Sequence, residues 1–211
     1  AFMVRHTTGI LCVAIDRTAA RRLELPMMYE SNQDKRKTAF TVTVDLATVS
    51  TGVSAQERTS TIQALANPKS RAHDFIRPGH IFPLIAHDEG LAARGGHTEA
   101  GIALAQLVGA APAALLSEIV NDDGSMARGD SLRAFAAEHQ IATITIEELT
   151  QYWRENFTPA VTALELNWST VQLPEGAWEL ATYPALKARD HVIARFGNGG
   201  KTPLIRVHSE C

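Results

Sequence analysis

Five consecutive residues, Arg94, Gly95, Gly96, His97 and Thr98, put a fixed cation, two positions without side chains, an imidazole and a hydroxyl in one short stretch. They join an apolar run, Ile81-Phe82-Pro83-Leu84-Ile85, to a segment with helical apolar spacing at Ile102, Ala103, Leu104, Leu107 and Val108. A strand, a glycine turn and a helix start form a device for holding phosphate. The N–H groups of the first helical turn are unpaired, and the macrodipole favours negative charge there. Gly95 and Gly96 let the backbone come close, Arg94 offers a guanidinium fork, and Thr98 serves as N-cap or as a direct phosphate donor. His97 is a metal-capable imidazole. The same residues also suit a plain turn followed by a histidine with no task.

Three other positions carry possible chemistry. Arg77-Pro78-Gly79-His80 reads as a tight turn that delivers His80 at the head of the next strand. An imidazole titrates near neutrality and suits general acid or base work; the plainer reading is a turn histidine. Glu118 sits late in an apolar strand, where a carboxylate is costly unless paired or used, and desolvation raises its pKa. The alternative is an edge carboxylate that faces water. Cys12 reads as core, with a site-facing thiol as the lesser reading.

The elements that position these residues alternate between strand and helix. Residues 2–6 form a short helical turn and 9–15 a buried strand, and Asp16 caps a helix that Leu25-Pro26 ends. Residues 30–38 are a polar connection, read as a solvated loop rather than a binding patch. Residues 40–45 alternate, with Phe40, Val42 and Val44 on one face and Thr41, Thr43 and Asp45 on a polar face that lines a site or meets water. Ser54 and Glu57 make a capping box for a helix to about Leu65, and residues 68–78 are irregular. Gly109 and Pro112 end the central helix before a buried strand over 113–120 and a turn at 121–124. Asp130 or Ser131 caps a helix to about His139. A strand over 141–146 and a helix over 147–155 complete this part. The pattern predicts an α/β fold, an α+β sandwich of a mixed sheet with helices packed on it.

After Asn156 the texture changes. Strands are expected at 161–166, 171–173, 178–182, 192–196 and 204–207, with turns at 174–176 and 197–200 and no helical pattern. This is expected to be an incomplete, β-rich second domain, since about fifty residues of strands struggle to build a core alone.

Bulk properties narrow the function classes. The 211 residues are 45% hydrophobic and 20% charged, with a formal net charge of -3, so no broad electrostatic case exists for nucleic acid or an anionic membrane. No run is long enough for a membrane span and no signal peptide opens the chain. Cys12 and Cys211 form no disulfide framework, which suits a reducing, cytoplasmic setting.

Three blocks in order then carry a resemblance. They are Arg77-Pro78-Gly79-His80-Ile81-Phe82-Pro83-Leu84, then Arg94-Gly95-Gly96-His97-Thr98-Glu99-Ala100, then Ser117-Glu118-Ile119-Val120-Asn121-Asp122-Asp123-Gly124-Ser125-Met126-Ala127-Arg128. Together with residues 38–45 and 51–55 they resemble 3,4-dihydroxy-2-butanone 4-phosphate synthase over about residues 1–155. That family makes the four-carbon riboflavin precursor from ribulose 5-phosphate, releasing formate, with magnesium (or manganese) as cofactor. The resemblance implies that Arg94, Gly95, Gly96, His97 and Thr98 bind the phosphosugar, with His97 a magnesium ligand. Glu118 would contact the sugar and move protons, and His80 would be the second acid/base group. It also implies a homodimer with sites near the interface.

The family's N-terminal acidic loop, which supplies further magnesium and substrate contacts, has no counterpart here. The expectation is therefore a fragment of a longer product, catalytically dead as these residues alone. Residues 203–211 resemble the first signature of GTP cyclohydrolase II, implying that Arg206, Val207, His208, Ser209 and Glu210 contact GTP. Cys211 would be the first of three zinc thiolates, an incomplete zinc site by itself. The expected division is residues 1–157 for the synthase and 158–211 for the start of the cyclohydrolase-like domain. Two other readings remain: an inactive phosphosugar-binding or dimer-scaffold module, and a different phosphosugar isomerase or lyase.

Overall fold

Four successive buried apolar residues, Cys12–Ile15, form β1, and the lack of alternation means that both faces are covered. The computed structural model describes residues 1–157, 168–174, 176–183, 191–196 and 204–208. It places β1 in a four-stranded sheet of order β2-β3-β1-β4, where β2 is Val44–Leu46, β3 is Phe75–Ile85 and β4 is Ala113–Leu116. β1 runs parallel to β3, with Cys12 opposite Phe82, and antiparallel to β4, with Cys12 opposite Leu116. β2 is antiparallel to β3. The sheet is thus mixed, as expected.

Strand alternation divides the core between the two faces. Val13 and Ile15 join Leu23, Leu65 and Ala20 on the side of α2 (Arg17–Arg22) and α3 (Ala55–Ala66). Ala14, with Ala86, Ala114 and Leu116, meets Ile102 of α4 (His97–Leu107) on the other side. Small residues let α4 lie close: a Cβ added at Gly101 would stand 2.8 Å from the Ala114 Cβ. The other helices are α1 (Phe2–His6), α5 (Asp130–Glu138) and α6 (Ile146–Phe157), with Leu149 of α6 buried against Leu91, Ala100 and Ala103. No helix among the described residues is long and apolar enough to cross a membrane.

Local signals set several boundaries. The Asp16 carboxylate accepts from Ala19 N at 2.6 Å. The Ser54–Glu57 capping box opens α3 with both of its bonds in place. α2 stops at Arg22, before the expected Leu25-Pro26, because Leu23 leaves helical geometry to enter the core.

Five expectations need correction. Residues 77–80 are not a turn before a strand but part of β3: Val44 lies opposite Ile81 and Asp45 opposite Ile76, so these four residues bulge out of the ladder. Within residues 40–45 only Val44 and Asp45 belong to a strand, and Thr41 is fully buried rather than on a polar face. Its hydroxyl is satisfied internally, donating to the carbonyls of Val42 and Pro83. β4 ends at Leu116 and is half-buried, with residues 119 and 120 making only isolated bridges. α5 is capped by Gly129 with no side-chain cap, since the Ser131 hydroxyl instead bonds Arg128. Residues 141–145 are not a strand. Ile141 and Ile144 are exposed, and Thr145 with Glu148 caps α6, drawing Ile146 into the helix.

The chain divides into two compact units, Ala1–Thr158 and Pro159–Cys211. The second holds β5 (Trp168–Leu173), β6 (Gly176–Tyr183), β7 (His191–Phe196) and β8 (Leu204–His208), an antiparallel meander in chain order. Leu173 pairs with Gly176, closing a two-residue hairpin turn. The strand expected at 161–166 and the turn at 197–200 lie outside the described residues.

Candidate active site

The bulge in β3 positions His80. Asp45, 7% exposed, accepts from the His80 backbone N–H at 2.9 Å, and its other oxygen stands 2.6 Å from His80 Nδ1. A carboxylate only accepts, so Nδ1 carries the proton and the Nε2 lone pair is left for other partners. Thr43 Oγ1 accepts from Gly79 N at 3.0 Å and steadies the bulge. Gly79 is needed there by close approach alone, since an added Cβ would meet Val44 C at 2.0 Å.

His80 precedes Phe82, the partner of Cys12 on β3, by two residues, and Glu118 follows Leu116, its partner on β4, by two. Beyond Leu116 the pairing slips by one residue, with Thr8 bridging Ile119, so Glu118 lies against Gly9, where an added Cβ would stand 2.6 Å from the Glu118 carbonyl oxygen. The Cys12 thiol is pushed up to about 11, by burial first and by the nearby Glu118 charge second. A thiol so raised is protonated at neutral pH and is no nucleophile. Glu118 itself is exposed, which removes the burial argument made for it from sequence: β4 ends two residues earlier and leaves the carboxylate outside the core.

The Arg94 motif opens α4. Gly96 is the N-cap with no side-chain cap, so Thr98 is not the cap but a buried residue of the first turn. His97 is exposed, one turn from Gly101. Glu99, about 200° round the helix from His97, is 2% exposed and accepts from His87 N at 2.9 Å and from Arg94 Nη1 at 2.5 Å. Arg94 Nη2 donates to the Arg36 carbonyl at 3.2 Å. The guanidinium is thus shared, with its remaining N–H groups left for a ligand. Among the described residues no hydrogen bond or ion pair joins the His80–Asp45 pair, the Cys12–Glu118 neighbourhood and the Arg94–Glu99 pair to one another.

A cleft of about 440 Å³ lies at the other end of β1 and β3, lined in part by Asp16, Arg17, His87, Asp88, Glu99 and Trp153. Three of its carboxylates are occupied: Asp16 caps α2, Asp88 pairs with Arg17, and Glu99 holds Arg94. Of the residues assigned to GTP or zinc, Arg206, Val207 and His208 lie in β8, and Ser209, Glu210 and Cys211 lie outside the described residues. Among the described residues no group of three His, Cys, Asp or Glu side chains is placed to hold a metal. His97 therefore offers one donor and not a complete protein cage. Sequence reasoning missed Asp45 and Glu99 as members of the site; the signals were the polar positions of the alternating stretch and one acid in an otherwise apolar helix start.

The chain is similar to known proteins over most of its length. The family model for 3,4-dihydroxy-2-butanone 4-phosphate synthase matches residues 1–152. The "Riboflavin biosynthesis protein RibBA" of Bacillus mycoides (strain KBAB4) is 44% identical over 213 residues, covering 100% of this chain and 53% of that protein. Its namesake from Rhodococcus erythropolis is 43% identical, covering 100% and 51%. The chain thus spans about half the length of the curated relatives it matches. A solved 3,4-dihydroxy-2-butanone 4-phosphate synthase in complex with two magnesium ions superposes with a TM-score of 0.71 at 40% identity, covering 74% of this chain and 78% of that one. RibBX, a two-domain synthase from A. baumannii, gives 0.74 at 36% identity, covering 93% and 57%. With a family model over most of its length and solved relatives that share its sheet and helices, the chain belongs to the 3,4-dihydroxy-2-butanone 4-phosphate synthase family.

Proposed function

We propose that this protein acts in riboflavin biosynthesis, converting D-ribulose 5-phosphate to L-3,4-dihydroxy-2-butanone 4-phosphate and formate. The observation that carries the reading is the His80–Asp45 pair in a chain of this family. The reaction needs enolisation beside a ketone, loss of water, skeletal rearrangement and departure of one carbon as formate. The water lost is taken up again as formate leaves, so the products sum to the substrate. Each step moves protons between carbon and oxygen. His80, its Nδ1–H held by Asp45, takes a proton at Nε2 and returns it. Glu118, which is exposed and whose carboxylate has no hydrogen-bonded partner among the described residues, exchanges the second proton with the sugar. The open first turn of α4 receives the phosphate through the N–H groups near Gly96, His97 and Thr98.

A divalent cation, magnesium or manganese, is part of the proposal, with His97 as one donor. Magnesium accepts few protein ligands and completes its shell with water and substrate oxygens; bound there, it would stabilise an enediolate. A homodimer and a cytoplasmic location belong to the same reading. The second unit is read as GTP cyclohydrolase II-like, with Arg206, Val207, His208, Ser209 and Glu210 toward GTP and Cys211 toward zinc. The relatives named above are biosynthetic proteins, and none of them favours an inactive scaffold.

The test is formate release from ribulose 5-phosphate by the gene product, with magnesium and then with excess chelator. Turnover that needs the metal, and is silenced by His80→Ala and by Glu118→Gln, is the expected result. No formate from the unmodified protein with metal present would remove the assignment.

A further inference from the structure

The Arg94 guanidinium is held by a buried carboxylate, and this changes the charge balance of the phosphate site. Glu99 takes Arg94 Nη1 at 2.5 Å and is itself 2% exposed, so the cation is neutralised within the fold. A sugar phosphate carries nearly two negative charges, and a helix N-terminus contributes only about half a positive one. More positive charge has to come from elsewhere. The second guanidinium contact names the source: Arg94 Nη2 donates to the Arg36 carbonyl at 3.2 Å, tying residues 32–38 to the head of α4.

That loop is ordered by its own bonds. Asn32 Nδ2 donates to the Thr38 carbonyl at 2.9 Å, and Asp34 Oδ2 accepts from Arg36 N at 3.1 Å and Thr38 N at 2.9 Å. The Thr38 donors, backbone first and side chain second, together with the Arg36 N–H and the Arg36 charge, hold the Asp34 carboxyl below its usual range, so it remains an acceptor that shapes the loop. Lys37 is already used, its Nζ donating to the Asn32 carbonyl at 3.0 Å. Lys35 and Arg36 remain exposed and outside the salt bridges of the described residues, although the Arg36 charge also acts on Asp34.

We propose that Lys35 and Arg36 form the outer wall of the phosphate subsite at the head of α4 and supply the positive charge that Glu99 withdraws from Arg94. This rests on the proposed function for the identity of the substrate, but its chemistry, recognition of a phosphate dianion, is measurable without turnover. The Arg36→Ala change keeps the carbonyl that Arg94 grips, so the loop anchor survives in the variant.

The experiment titrates inorganic phosphate into the gene product, its Lys35→Ala/Arg36→Ala and Lys35→Glu/Arg36→Glu variants, and a Lys69→Ala control in the exposed segment after α3. The double alanine variant is expected to bind phosphate about tenfold more weakly, the factor a single charge-assisted contact carries. Charge reversal should weaken it further, and Lys69→Ala should leave it unchanged. The difference should shrink as salt is raised. For ribulose 5-phosphate, KM should rise in the same order while kcat is held. Equal phosphate affinity in the unmodified and alanine proteins overturns the proposal, as does an unmodified protein that binds no phosphate. Phosphate binding that follows the expected order without formate release from the unmodified protein upholds the subsite and removes the synthase reading alone.

Discussion

Asp45 is the residue on which the acid/base argument turns. It is nearly buried and spends both oxygens on one histidine, and Gly52 closes over it so tightly that an added Cβ would come within 2.1 Å of Oδ2. Asp45→Asn preserves shape but offers an N–H toward Nδ1, which forces the ring proton onto Nε2 and removes the base. We expect kcat to fall about 10²–10⁴-fold with an unchanged circular dichroism spectrum. Full turnover in this variant would make the pair purely structural. His80, His97 and Glu118, the residues proposed for the chemistry, stood out in the sequence as types at spacings. Asp45 was legible only as one of three polar positions, because its partner lies 35 residues away.

At the scale of elements, the helix starts are written locally and the strands are not. Ser54 accepts from Glu57 N while the Glu57 carboxylate gathers N–H and hydroxyl donors from Ser50, Thr51 and Ser54. Ser54→Ala should cost about 1 kcal/mol in urea denaturation. The donors from Ser50, first by its side chain, hold the Glu57 carboxyl far below its ordinary 4.5. A depressed carboxylate stabilises the fold fully above that ordinary value, and the contribution fades as pH falls below it. The melting temperature of the unmodified protein should therefore drop more steeply below pH 4.5 than that of Glu57→Gln; parallel curves would refute the linkage. Both bonds of this box lie within three residues, which is why it could be read in advance. The bulge at 77–80 could not, because it exists only relative to Val44 and Asp45 on the neighbouring strand.

At the scale of the whole molecule, the site end of the sheet leaves apolar surface uncovered. Ile10, just before β1, is 45% exposed, and β4 is a half-buried edge strand. Such surface suits a second copy. Sedimentation equilibrium of the gene product at micromolar concentration should return twice the chain mass, and a monomer there would contradict the proposed homodimer.

By itself the sequence determined the mixed α/β class, the buried run of β1, the capped starts of α2 and α3, and the order of the chemical blocks. Each of these depends on residues within one turn or one strand, so local spacing suffices. Only the tertiary structure decided that Thr41 is core, that 141–145 is no strand, that Glu118 is exposed and that Arg94 belongs first to Glu99. Those outcomes depend on which distant backbone or carboxylate arrives alongside. That is set by register and packing across the sheet, which no local pattern encodes.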